Sequence, residues 1–149
     1  MSQTPLPKRR QEIRKTDGLW VIDDTYNANP VSMRSAIETL SRFDAPGKRI
    51  LVCADMLELG RNAPALHASV GKLLGHSKVD ALLTWGRFSR FMTHTARKEN
   101  PALQAHHCAT REELHKRLKG FCRSEDVVLV KGSRAMQMER TVAFLCSIT

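Results

Sequence analysis

Along the chain, short runs rich in Val, Ile and Leu alternate with longer stretches whose apolar residues recur every three or four positions. The runs predict strands over 19–23, 49–53, 81–85 and 126–131, with a further candidate over 103–107. Between the first two, Met33, Ala36, Ile37, Leu40 and Phe43 repeat at helical spacing while Arg34, Glu38 and Arg42 fall on the opposite face, so this segment reads as an amphipathic helix. Asn29 suits its N-cap, Pro30 its first turn, and Asp44, Pro46 and Gly47 its end. Further helices are predicted over 64–74, 88–98, 111–121 and 136–145, the third of these opening on a capping box, Thr110 with Glu113. Strands alternating with helices imply the α/β class: a Rossmann-like, mostly parallel sheet with helices on both faces, in a single domain over 16–149. Residues 1–15, rich in Pro, Lys and Arg, read as a linker or N-terminal arm.

Composition narrows the setting. With 149 residues, 42% of them hydrophobic, the chain can bury one sizeable core. Its apolar runs fall far short of the roughly 20 residues a membrane span needs, and the polar, basic start lacks the apolar stretch of a secretory signal. A cytoplasmic protein without membrane insertion is expected. The four cysteines, Cys53, Cys108, Cys122 and Cys146, are scattered without C-x-x-C pairing and read as reduced, structural thiols. His106, His107 and Cys108 are adjacent on a predicted strand, so their side chains alternate faces and do not make a zinc site; no metal ligand set is expected. The formal charge of +9 raises nucleic-acid binding. However, the basic residues are dispersed, aromatic residues make up only 5%, and no nucleic-acid-binding motif is present, so no nucleic-acid partner is expected. A basic surface equally suits nucleotides and other small phosphorylated substrates.

Ligands of open α/β sheets bind beyond the carboxyl ends of the strands, and three such segments stand out. Asp23-Asp24-Thr25-Tyr26-Asn27-Ala28-Asn29-Pro30 follows the first strand, Ala54-Asp55-Met56-Leu57-Glu58-Leu59-Gly60 the second, and Lys131-Gly132-Ser133-Arg134 the last. The first could hold ribose hydroxyls or a base edge; equally, Asp24, Asn27 and Asn29 could simply cap the turn and helix. The last joins two cations, a hydroxyl and a glycine at a strand-to-helix turn, which suits a carboxylate or phosphate as well as a solvated basic turn. It is not a P-loop, whose frame occurs nowhere in the chain. Asp55 and Glu58 could orient an amine or a magnesium ion, or be solvated. His67, on a predicted helix, reads as a surface or packing residue rather than a base, and Trp20 and Trp85 as core.

The three segments, in this order, resemble the C-terminal domain of the Mur ligases, of the type that adds D-alanyl-D-alanine to a UDP-muramoyl peptide. Asp23 to Pro30 with Ser32-Met33 resembles that family's D-D-[ST]-Y-N-A-N-P-x-S-M. Asp55 to Gly60 with His67 resembles its G-D-M-L-E-L-G and following histidine, and Lys131 to Arg134 with Met138-Glu139 its K-G-S-R-x-x-x-M-E. The resemblance runs from about Arg10 to Leu145. It implies a peptidoglycan-precursor ligase in which ATP, with magnesium, phosphorylates a carboxylate and an incoming amine displaces phosphate. It further implies that Arg10, Asp24, Tyr26, Asn27 and Asn29 bind nucleotide, and that Asp55, Glu58, Lys131, Ser133 and Arg134 face the dipeptide. The partners it implies are the UDP-muramoyl-peptide, D-alanyl-D-alanine, and N-terminal and central ligase domains in cis or trans. Because the P-loop and magnesium residues have no counterpart, the chain is expected to act as a lid that is inactive alone, and ATP and magnesium to bind through the central domain. A stand-alone module binding a nucleotide or cell-wall precursor is the alternative. Ala54 stands where the family usually has glycine, which bears on how closely a ligand can approach.

Overall fold

The computed structural model describes residues 11–148. The strands are β1 (Glu12–Thr16), β2 (Leu19–Asp24), β3 (Arg49–Cys53), β4 (Ala81–Trp85), β5 (Gln104–Cys108) and β6 (Val127–Lys131). The helices are α1 (Pro30–Arg42), α2 (Ala63–Gly75), α3 (Ser89–Glu99), α4 (Arg111–Phe121) and α5 (Glu139–Ser147). They form one six-stranded sheet in the order β1-β2-β6-β3-β4-β5, parallel throughout except for the antiparallel edge strand β1.

The period of two along each strand sorts the core into halves. Ile22, Leu51, Cys53, Leu82, Val127 and Leu129 pack with the apolar stripes of α1, α2 and α3. Val21, Ile50, Val52, Leu83, Val128 and Val130 pack with Leu114 and Leu118 of α4 and Val142 and Leu145 of α5. Helices therefore cover both faces, and the central strands β3 and β6 are apolar almost throughout because neither face meets water. The chain runs β2, β3, β4, β5 across one face and returns to β6, which slots between β2 and β3. That insertion brings the ends of β2, β6 and β3 side by side.

Two boundaries differ from the sequence-based expectation by more than two residues. Residues 12–15, read from the sequence as part of a linker or N-terminal arm, belong to β1: Glu12–Thr16 pairs with β2 through the two-residue turn Asp17-Gly18, both at positive φ (45° and 87°). Asp-Gly is the preferred pair for such a hairpin turn. Helix α5 begins at Glu139 rather than 136, because residues 134–136 form a 3-10 turn that ends in left-handed Gln137.

Helices α2 and α3 cross closely at Gly71, where an added Cβ would lie 3.1 Å from the Ala96 nitrogen and closer still to the Met92 carbonyl. Both neighbours are backbone and cannot rotate away. Gly71→Ala is expected to lower stability by about 2 kcal/mol, as overpacking does, even though alanine is the better helix former. Chemical denaturation checks this, and an unchanged or higher midpoint would show that the helices separate freely.

Candidate functional site

At the switch point of strand order, Asp24 and Lys131 end neighbouring strands in register. Lys131 Nζ donates to Asp24 Oδ2 at 3.1 Å and to the Asn27 carbonyl at 2.9 Å, and both side chains are almost fully buried. Gln11 Nε2 also donates to Asp24 Oδ2, at 3.3 Å. The neighbouring Asp23 behaves differently. Its Oδ1 accepts from the Thr25 N–H and hydroxyl, an Asx turn that bends the chain out of β2. Asn29 then caps α1 in a reciprocal box, its Oδ1 accepting from the Ser32 N–H at 2.8 Å while its own N–H donates to Ser32 Oγ at 3.0 Å. Asn29 is therefore a cap, and its side chain still lines the cavity beside it.

That first cavity, about 690 Å³, is walled by Asp24, Tyr26, Asn27, Asn29, Ser32 and Lys131. A second, of about 360 Å³, shares Tyr26 and Asn27 with it and adds Leu57, Glu58, Ser133 and Arg134. The Arg134 guanidinium lies 5.4 Å from the Tyr26 ring centroid, within cation–π range. Tyr26 and Asn27, both exposed, form the partition between the two. A hollow of similar size, about 700 Å³, lies at the amino end of the sheet between the C-terminal ends of α1 and α2. There Arg49 Nε donates to the Phe43 carbonyl.

The structure regroups the residues expected from the sequence. Lys131 sits in the first cavity with Asp24, not beside Arg134. Ser133 reaches the second cavity, but its hydroxyl accepts from the Leu57 N–H at 2.8 Å and lies 3.5 Å from the Ala28 carbonyl, stitching the three strand-end segments together. Asp55 lines neither cavity. It is buried, and its carboxylate accepts from the backbone N–H groups of Arg87, Phe88 and Ser89 at 2.8, 3.0 and 2.8 Å, capping α3. Glu58 is exposed on the second cavity and held at φ 64°. Arg10 lies outside the described residues. Ala54 is fully buried in the core under α4 and α5, its methyl close to Gly132, and it lines neither cavity.

Sequence reasoning missed two supports of this site, Gln11 and Arg111, and read a third, His67, only as a surface or packing residue. Gln11 reaches Asp24. Arg111 donates to the Met136 and Gln137 carbonyls at 2.7 and 2.9 Å and stacks 4.8 Å from the Trp85 ring centroid, fixing the turn that carries Arg134. His67, fully buried on α2, accepts from the Met56 N–H. Only His67 left a local signal, as the histidine after the Asp55–Gly60 motif. Among the described residues no three His, Cys, Asp or Glu side chains converge as a metal site. Burial raises the Cys53 thiol to about 12, with the Asp55 carboxylate adding to the shift.

The profile described as "Mur ligase, glutamate ligase domain" matches residues 8–134. The UDP-N-acetylmuramoyl-tripeptide–D-alanyl-D-alanine ligase of Bacillus subtilis is 35% identical over 134 residues, covering 89% of this chain and 29% of that protein. That of Escherichia coli is 34% identical over 142 residues, covering 94% and 30%. A MurF structure from Acinetobacter baumannii superposes with a TM-score of 0.82 at 29% identity, over 93% of this chain and 30% of that one. The MurF ligase of Thermotoga maritima, in complex with ADP, gives 0.73 at 28% identity, over 99% and 32%. The chain thus spans about three-tenths of the length of these relatives. With the family profile matched over most of its length and its strand-end motifs gathered at one switch point, the chain belongs to the Mur ligase family and carries its C-terminal domain.

Proposed function

We propose that the chain is the lid domain of an ATP-dependent ligase that joins D-alanyl-D-alanine to a UDP-muramoyl peptide in peptidoglycan precursor synthesis. The observation that carries this reading is the second cavity, where an exposed carboxylate, Glu58, and an exposed guanidinium, Arg134, line one space the size of a small zwitterion. A dipeptide presents an ammonium at one end and a carboxylate at the other. Arg134 grips the carboxylate through charge-assisted hydrogen bonds, and Glu58 orients the ammonium that, once deprotonated, becomes the nucleophile.

The first cavity, on the other side of Tyr26 and Asn27, suits the nucleotide. Asn27 and the Asp24–Lys131 pair offer donors and acceptors for ribose hydroxyls and a phosphate edge, with Arg10 added from the segment before β1. ATP supplies the phosphoryl group that activates the acceptor carboxylate. Magnesium does not fit these residues: Asp24 is engaged by Lys131, and Asp55 by three backbone N–H groups. Its ligands, the phosphate cradle and the UDP-muramoyl site belong to the central and N-terminal domains, in cis or trans. No described helix is long and apolar enough to cross a membrane, and a cytoplasmic setting is part of the proposal.

Calorimetric titration with D-alanyl-D-alanine tests the assignment. Weak binding is expected, lowered roughly 10-fold or more by Arg134→Ala, the scale of a lost hydrogen bond to a charged group. Binding that ignores Arg134→Ala would remove the dipeptide from this cavity. With ATP and UDP-muramoyl tripeptide added, the isolated chain is expected to make no amide, and ATP-dependent synthesis by it would refute the lid role.

A further inference from the structure

The geometry points to His67 as a positioning residue: in its neutral Nδ1–H form it clamps the Met56 N–H and so fixes the Glu58 wall of the second cavity. This inference rests on reading that cavity as the dipeptide site. His67 Nδ1 lies 2.7 Å from the Ala63 carbonyl, one turn earlier on α2. A carbonyl only accepts, so Nδ1 carries the proton. Nε2 lies 3.0 Å from the Met56 nitrogen, whose N–H only donates, so Nε2 must present its lone pair. Both ring nitrogens are committed and one neutral tautomer alone satisfies them.

The consequence runs along three consecutive residues. The Met56 N–H is held by His67, the Leu57 N–H by Ser133 Oγ at 2.8 Å, and the next residue is Glu58, at φ 64°. Residues with a Cβ seldom adopt that conformation unless their surroundings impose it. Two side-chain acceptors on successive N–H groups are such an imposition, and they aim the Glu58 carboxylate into the cavity. A second proton on Nε2 would turn the acceptor into a donor facing a donor, so the clamp opens on protonation. The charged group acting on the ring is Asp55, whose carboxylate favours protonation; Phe88, 5.8 Å away, and Met56 are uncharged. Burial outweighs both the Ala63 carbonyl and Asp55 and holds the histidine below its ordinary value of 6.5, so the clamp is closed at neutral pH and is lost as pH falls through that lowered value.

Nitrogen-15 histidine spectra of the 149-residue chain identify the tautomer directly. The expected result is Nδ1–H for His67, with the Met56, Leu57 and Glu58 amides moving together with its titration while those of β3 and β6 stay in place. His67→Leu is expected to speed exchange of the Met56 amide more than about tenfold and to weaken D-alanyl-D-alanine binding about tenfold, with His67→Gln restoring both through its side-chain oxygen. An Nε2–H tautomer, or Met56 to Glu58 amides indifferent to the titration, would overturn the inference. If His67→Leu does not fold, the wild-type titration decides. A wild-type chain that shows the tautomer and the coupled amides yet binds no dipeptide would defeat the ligand reading and leave the clamp standing.

Discussion

Replacing Lys131 with methionine is expected to cost about 3–5 kcal/mol of stability, the effect of removing one member of a buried ion pair. Methionine fills nearly the same volume, so packing changes little and the loss is electrostatic. Among the described residues Asp24 Oδ2 is left with Gln11 alone, at 3.3 Å, and the Asn27 carbonyl loses its 2.9 Å donor. The two side chains are only 3% and 10% exposed, which leaves water little room to replace the ammonium. Substituting Asp24 with leucine on the same background removes the stranded charge, and the double variant is expected to recover much of the loss, since apolar replacement of a buried pair is often close to neutral. Urea denaturation of the four species gives the coupling energy. A single-variant loss under about 1 kcal/mol would mean that the pair behaves as a surface one. Nucleotide binding, by contrast, is expected to stay weak in the double variant, because stability is restored without returning the cation to the first cavity.

That pair also marks where sequence reasoning stops. Strands 49–53 and 81–85 and the helix 111–121 were legible to the residue, because buried parallel strands read as unbroken apolar runs and Thr110 caps α4 through the Glu113 N–H. The capping box itself is only half realised, since the Glu113 carboxylate accepts from Ala109 instead. β1 was not legible: Glu-Ile-Arg-Lys-Thr is a mostly exposed edge strand with no apolar alternation, and only the Asp17-Gly18 turn announces it. The candidate site was legible as three strand-end segments, by the rule that ligands gather there. The partners within it were not, because they depend on β6 slotting between β2 and β3. Asp24 and Lys131 are 107 positions apart, and nothing near either names the other. Asp55 is the instructive case. The start of α3 offers Gly86-Arg87-Phe88, with Phe88 at the N-cap and no side-chain acceptor of its own, so an acceptor must come from another segment.

Asp55→Ala is accordingly expected to cost roughly 3–5 kcal/mol, because it leaves three N–H groups at the start of α3 without acceptors, each worth about 1–3 kcal/mol and not fully additive. Gly86 shows how tightly the carboxylate is fitted: at φ 129°, an added Cβ there would lie 2.7 Å from Asp55 Cγ. Asp55→Asn retains one acceptor oxygen but gives up the charge that favours the helix N-terminus, and should lose about half as much. Hydrogen exchange at the Arg87, Phe88 and Ser89 amides should rise in both variants, ahead of the amides in α1 and α4. A role at the ligand predicts the reverse. If Asp55 oriented the incoming amine, Asp55→Asn would leave the unfolding midpoint and those amides unchanged and abolish dipeptide binding. With Asp55 only 2% exposed and its carboxylate bonded to the start of α3, stability moves first, and binding falls only as far as the Asp55 carbonyl, which accepts from the Ser133 N–H at 3.2 Å, shifts with its backbone.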